Sequence, residues 1–169
     1  MNSLALILGG AIGAAGACAA IDLLHVTGTR VVAFEEAKRL SNGKGIINLG
    51  AGPHRTYQAQ IIAESPDVLA NVDITLDGLP NFLLLDIERE SLPFAANQFG
   101  CAFASHVLEH MNDWKFALAE ACRVANYVVV VLPDPRYFDG WLTPGHMQHF
   151  SIDEINEMVE AYPNVEVYY

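Results

Sequence analysis

Three short stretches carry residues whose types and spacing could do chemistry. The first is Ile46-Ile47-Asn48-Leu49-Gly50-Ala51-Gly52-Pro53-His54, an apolar strand running into a glycine turn and then a helix. Gly50 and Gly52 have no side chains, so a ligand can lie against bare backbone at the strand end. The second is Asn71-Val72-Asp73-Ile74, with Asp73 standing 23 residues after Gly50. A carboxylate there is placed to accept hydrogen bonds from both ribose hydroxyls of a nucleoside; a loop-capping carboxylate is the other reading. The third is Ser105-His106-Val107-Leu108-Glu109-His110. Its H-x-x-E-H spacing matches a zinc-protease pattern in which residues 106 and 110 share a helix face. That pattern needs a third ligand on a helical scaffold, whereas here it follows a strand in a nucleotide-binding order. No metal is therefore expected, and His110 reads as a satisfied helix histidine.

The elements that must position these residues alternate. Apolar strand candidates are Gly45–Leu49, Val68–Ile74, Phe82–Leu85, Cys101–Ala104, Tyr127–Leu132 and Val165–Tyr169. They are continuous apolar runs, which suits a parallel sheet covered on both faces. Between them, His54–Glu64 reads as a helix stopped at Ser65-Pro66. Asp113–Val124 starts at an acidic cap, and Ser151–Ala161 opens on a Ser151-x-x-Glu154 capping box. Val31–Leu40 reads as a short amphipathic helix with Val31, Phe34 and Leu40 on one side, stopped by Asn42-Gly43. This order predicts an α/β, doubly wound sheet with ligands at the carboxyl ends of the strands.

Composition narrows the function. The chain of 169 residues carries 9 Lys+Arg against 20 Asp+Glu, a formal charge of −11. Asp22 and Arg30 are the only formal side-chain charges within residues 1–30 and cancel, so the deficit sits on the remainder. Such a surface repels phosphate backbones, and no Lys/Arg-rich stretch offsets it, so nucleic acid is not the expected partner. Cys18, Cys101 and Cys122 are far apart and form no CxxC pair, which speaks against a disulfide framework or structural zinc.

Residues 4–21, LALILGGAIGAAGACAAI, hold no charge. As a helix they would run about 27 Å, close to the hydrocarbon thickness of a bilayer. Gly9 and Gly13 on one face would let two such helices approach closely. A membrane anchor through residues 4–24 is the first reading; a packing helix or oligomer contact is the second. A cleaved signal peptide is disfavoured, since no Lys or Arg precedes the run. Arg30, Lys38, Arg39 and Lys44 follow it, which would put the remainder on the cytoplasmic side. The expected division is residues 1–26 as an apolar helix, 27–44 as a connecting helix and turn, and 45–169 as the main domain.

The succession of motifs resembles class I S-adenosylmethionine-dependent methyltransferases, notably the type 11 group. It is most similar to a branch that carries N-L-G-x-G, N-V-D-[LI], an Asp shortly before L-P-F, and S-H-V-L-E-H. Here these are Asn48–Gly52, Asn71–Ile74, Asp86 before Leu92-Pro93-Phe94, and Ser105–His110. Arg123-Val124, Pro133-Asp134 and Gly145-His146 ahead of the Ser151 helix also fit. The resemblance implies a Rossmann-like fold and S-adenosylmethionine as cofactor. It implies that the backbone of Gly50, Ala51 and Gly52 faces the methionine and ribose portion, and that Asp73, with Ile74 beside it, holds the ribose hydroxyls. It further implies that Asp86 and the backbone of Ile87 contact the adenine edge, and that Ser105 and His106 line the methyl-transfer site. The sequence departs from the pattern in four places, the first being His54, where a glycine is often found although that branch tolerates histidine. Between Asp73 and Phe82 there is no room for the usual helix, the turn before the fifth strand is reduced to Ala125-Asn126, and the chain stops near the end of the sixth strand. The expected sheet is thus C-terminally shortened, with an edge for a homo-oligomer contact or a larger membrane assembly to cover.

Methyl transfer is an in-line displacement, so the protein's main contribution is to place the nucleophile near attack distance. A general base is needed only for an acceptor that begins protonated; His106 is the candidate, with pocket lining as its alternative role. His146 and His149, together with Tyr137, Phe138, Trp141 and Phe150, would form an aromatic lid suited to a small or lipid-like acceptor, with loop packing as the other reading of the two histidines. A non-catalytic membrane-associated subunit that keeps the fold for assembly is the rival reading. A nicotinamide-dependent oxidoreductase fits less well, since residue 55 is Arg where a third glycine belongs.

Overall fold

Continuous apolar runs buried on both faces become one parallel sheet. The computed structural model describes residues 18–52, 57–75, 78–136 and 145–169. Its elements are α1 (Cys18–Ser41), β1 (Ile46–Leu49), α2 (Tyr57–Ala63), β2 (Val68–Asp73), β3 (Phe82–Leu84), β4 (Phe99–Ser105), α3 (Trp114–Val124), β5 (Ala125–Val131), α4 (Ile152–Ala161) and β6 (Val165–Tyr168). A single 3-10 turn, Leu108–His110, follows β4. The strands lie in the order β3-β2-β1-β4-β5-β6 and every neighbouring pair is parallel. Sequence order reverses between β1 and β4, which opens a crevice beyond their carboxyl ends. The α/β, Rossmann-like expectation matches this sheet.

Alternate residues of each strand feed two cores. Ile47, Leu49, Ala70, Val72, Ala102, Ala104, Val128 and Val130 face Leu118, Ala121, Ile155 and Met158 from α3 and α4. On the other side Ile46, Val68, Cys101, Phe103, Val129 and Val131 face Ala33, Phe34 and Ala37 of α1 and Ile62 of α2. The ring of Phe34 meets that of Phe103 edge-on at 5.3 Å. α1 approaches the sheet closely at its end: a Cβ on Gly100 would sit 2.6 Å from the Cα of Ser41, so this strand residue must be glycine.

Several boundaries differ from the sequence expectation. α1 is one helix from Cys18 to Ser41, continuous across the expected division at residue 26. Its buried face is Ala33, Phe34 and Ala37, with Leu40 packed partly against it, while Val31 is 45% exposed. At 100° per residue, Val31 falls well to one side of that stripe. β5 begins at Ala125, directly where α3 ends, so Ala125 and Asn126 are strand rather than turn. α3 is capped by Asp113, whose side chain accepts from the Phe116 amide, and the Ser151–Glu154 capping box makes both of its bonds.

The short link from β2 to β3 contains no helix among its described residues, and β3 is only partly covered. A buried amide chain holds that end together instead. Asn48 donates to Asn71 Oδ1 at 2.9 Å, and Asn71 donates to the carbonyls of Ala63 and Pro80, each at 2.9 Å. These buried amide bonds fix β1, β2, the end of α2 and the link in one register.

Among the described residues, no helix is long and apolar enough to cross a membrane. The expected apolar helix lies mainly outside the described residues, as do Pro53 to Thr56 and the lid aromatics Tyr137, Phe138 and Trp141.

Candidate active site at the carboxyl ends of the strands

The glycine turn leaves β1 at Leu49 and folds back over β2. The amides of Gly50 and Ala51 both donate to the Val72 carbonyl, at 2.9 and 3.1 Å. Gly50 has φ +70°, and a Cβ there would sit 2.6 Å from the Cβ of Val107. Both the left-handed backbone and the approach of Val107 therefore demand glycine. The Gly52 amide donates to Asp73 Oδ2 at 3.1 Å and the Thr75 amide to Asp73 Oδ1 at 2.8 Å. Asp73 is 8% exposed. It is thus a loop-capping carboxylate, and since each oxygen can accept a second bond, two positions remain for ligand hydroxyls. Ile74 beside it stands exposed, an apolar surface at the mouth of the crevice.

Asp86 and Ile87 follow β3 by two and three residues. The carboxylate of Asp86 accepts from the Glu88 amide at 3.1 Å, while the side chain of Ile87 is buried in the core. The loop that follows is clamped from α3. Arg123 donates to the carbonyls of Phe94 and Leu92, both at 2.8 Å, and Glu120 accepts from the Leu92 amide at 2.8 Å. Hydrogen bonds from Arg123 hold the Glu120 carboxyl below the usual carboxylate range. This is the structural use of the Leu92-Pro93-Phe94 and Arg123 motifs.

Ser105 ends β4, and His106 adopts φ +53° immediately after it. Its amide donates to the Val131 carbonyl at 2.9 Å, closing β4 against β5. A non-glycine residue held in this region is uncommon and often marks a working corner. The imidazole Nδ1 lies 3.2 Å from Glu109 Oε1, and Glu109 is 1% exposed. Both His106 Nε2 and Glu109 Oε2 are buried without a hydrogen-bond partner. Arg30, reaching from α1, donates from Nε to Ser105 Oγ at 2.9 Å. Burial lowers the pKa of its guanidinium, and the Glu109 charge opposes that shift.

The loop entering α4 closes on the same corner. The amides of Met147 and Gln148 donate to the Glu109 carbonyl at 2.7 and 3.0 Å. His110 Nδ1 lies 2.9 Å from the Gly145 carbonyl, and the rings of His110 and His146 meet edge-on at 4.8 Å. Phe150 packs edge-on against Trp114 at 5.2 Å. The 3-10 turn breaks the geometry that H-x-x-E-H would need: His106 lies before it with its ring turned to Glu109, and His110 turns to His146. Cys101 and Cys122 belong to the packing, with burial pushing their thiols up to about 12 and about 11.

The sheet order thus brings Gly50, Ala51, Gly52, Asp73, Ile74, Asp86, Ile87, Ser105 and His106 to the carboxyl ends of four adjacent strands. Direct bonds join Gly52 to Asp73, whereas Asp86 is bonded within its own loop. Sequence reasoning overlooked Arg30 and the Glu109 carboxylate as members of this corner. Arg30 had one visible signal, since it is the only Lys or Arg within residues 1–37.

Strand order and site together define a Rossmann-like sheet with a ligand crevice at its switch point. Residues 53–127 match the family model described as a methyltransferase domain. The match supports a class I S-adenosylmethionine-dependent methyltransferase, and with it S-adenosylmethionine-dependent methyl transfer in general. No curated protein and no solved structure matches the chain.

Proposed function

We propose that this protein transfers a methyl group from S-adenosylmethionine to a small-molecule or lipid-like acceptor, with His106 receiving the acceptor's proton. The observation that carries the reading is the Gly50–Gly52 turn hydrogen-bonded to Asp73 at the switch point, within a sheet whose β2–α3 portion matches the methyltransferase domain. The residues present fit the cofactor, because Asp73 keeps two acceptor positions beside an exposed Ile74. Gly50, Ala51, Gly52, Asp73, Ile74, Asp86 and Ile87 would hold it, with Ser105 and His106 at the reactive end. When bound, it supplies a methyl on a positively charged sulfur whose departure needs no acid.

What the chain must then do is orient and deprotonate. Glu109 accepts the Nδ1 proton of His106, and the buried Nε2 becomes the proton acceptor when its cover moves aside to admit the acceptor. Arg30 steadies Ser105 at the same corner. A charge of −11 supports a neutral or lipid-like acceptor over a nucleic acid. The uncharged run of residues 4–21 supports attachment to a membrane, with the domain on the cytoplasmic side.

The test is transfer of tritiated methyl groups to lipid and metabolite extracts, with Asp73→Ala as the blank. Label in one extract fraction, lost in the variant, supports the proposal. Cofactor binding without transfer to any fraction supports the non-catalytic assembly subunit. Fractionation of the full chain and of a variant beginning at residue 27 tests the anchor; if both are soluble without detergent, the segment packs within the protein or an oligomer.

A further inference from the structure

A carboxylate and two imidazoles converge beside the Ser105–His106 corner, and the proposed methyl transfer uses only the Glu109 oxygen that faces His106. One ligand atom each of Glu109, His110 and His146 lies within 4.8 Å of the other two. Glu109 is 1% exposed; Oε1 faces His106, while Oε2 is buried with no donor at all. A buried carboxylate oxygen without a hydrogen-bond donor is costly, and a bound cation would supply the direct partner that the nearby Arg30 charge does not. The Nδ1 of His110, donating to the Gly145 carbonyl, fixes the tautomer and leaves Nε2 with its lone pair. Metal-bound histidines are held in this way, the second nitrogen giving its proton to a carbonyl or carboxylate. Backbone bonds place the third group, because the amides of Met147 and Gln148 tie the chain after His146 to the Glu109 carbonyl.

We propose that Glu109, His110 and His146 form a binding site for one divalent transition-metal ion, with zinc as the best match. Two imidazoles and a carboxylate suit zinc, whereas calcium and magnesium prefer all-oxygen sets. Zinc–ligand bonds of about 2.0–2.2 Å put tetrahedral donor atoms about 3.3–3.5 Å apart. From a spread within 4.8 Å, closure needs a contraction of at most about 1.5 Å. The exposed His110 and half-buried His146 can supply that movement around a fixed Glu109. Three protein ligands leave a fourth position open to water or to an oxygen of an acceptor. The pairing differs from the H-x-x-E-H reading, since His146 replaces His106.

The full, untagged chain is stripped with a chelator, dialysed, and titrated with zinc sulfate by calorimetry, then with cobalt(II) as a spectroscopic stand-in. The expected result is one ion per chain and the strong visible absorption of four-coordinate cobalt. His146→Ala and His110→Ala should each weaken binding at least about tenfold, while Cys122→Ser leaves it unchanged. Glu109→Gln should abolish binding; because Glu109 is buried and that variant can fail to fold, the loop variant His146→Ala decides. Absence of saturable binding at one ion per chain, or parental affinity in both histidine variants, overturns the site. Neither readout depends on methyl transfer, so the two proposals fail separately.

Discussion

Replacing Asp73 with Ala separates the two roles its carboxylate can hold. In the free protein the variant loses two charge-assisted bonds, from the amides of Gly52 at 3.1 Å and Thr75 at 2.8 Å. Each such bond contributes about 1.5–3 kcal/mol, but water can reach the freed amides in a surface loop, so the expected loss of stability is about 2–4 kcal/mol. The same carboxylate has two acceptor positions left for ribose hydroxyls, and their loss should weaken cofactor binding by a further 2–4 kcal/mol, or about 30- to 700-fold. Urea unfolding without ligand measures the first quantity; calorimetry on the folded variant, below its unfolding range, measures the second. A large stability loss with cofactor affinity within about twofold of the parent would refute the ligand role and leave Asp73 as a loop cap alone.

Gly50→Ala should cost about 1–3 kcal/mol from the positive φ and more from Val107; adding Val107→Gly should recover the part due to overlap, as a double-mutant cycle by denaturation will show. Arg123→Ala should destabilise by about 1–2 kcal/mol, discounted for its partial exposure, by releasing the carbonyls of Leu92 and Phe94. Because Arg123 depresses the folded-state pKa of Glu120, that stabilisation is full above the unfolded carboxylate's pKa and fades as pH falls through the folded value. The variant's acid-unfolding profile should be flatter there. Ser151→Ala should cost about 1 kcal/mol through loss of the capping box, read as a lowered thermal midpoint. Cys101, with its thiol pushed up to about 12, should resist alkylation at pH 8 until the chain is unfolded.

Features set by short-range rules were legible in the sequence. The apolar runs gave strands buried on both faces, Asp113 and Ser151 started their helices, and the glycine turn fell at the end of β1. Asp73 was legible as both a ligand residue and a loop cap, and the structure places it as a cap with acceptor capacity to spare. What escaped notice depends on contacts distant in sequence. Arg30 meets Ser105 across 75 positions, and no periodicity within α1 announces that bond. The burial of Phe34 with Ala33 and Ala37, and not with Val31, depends on how α1 crosses β4 and β5. The H-x-x-E-H pattern needs one helix, yet a 3-10 turn and the positive φ of His106 divide the stretch. The nearness of His146 to Glu109 follows from a backbone contact between loops, which leaves no trace in spacing.

The central claim is tested most directly by titrating the purified full chain with S-adenosylmethionine and with its demethylated product in a calorimeter. The account predicts saturable binding of each at one site per chain, greatly weakened in folded Asp73→Ala. A folded protein that takes up neither compound would contradict it, leaving the sheet and its glycine turn without their cofactor.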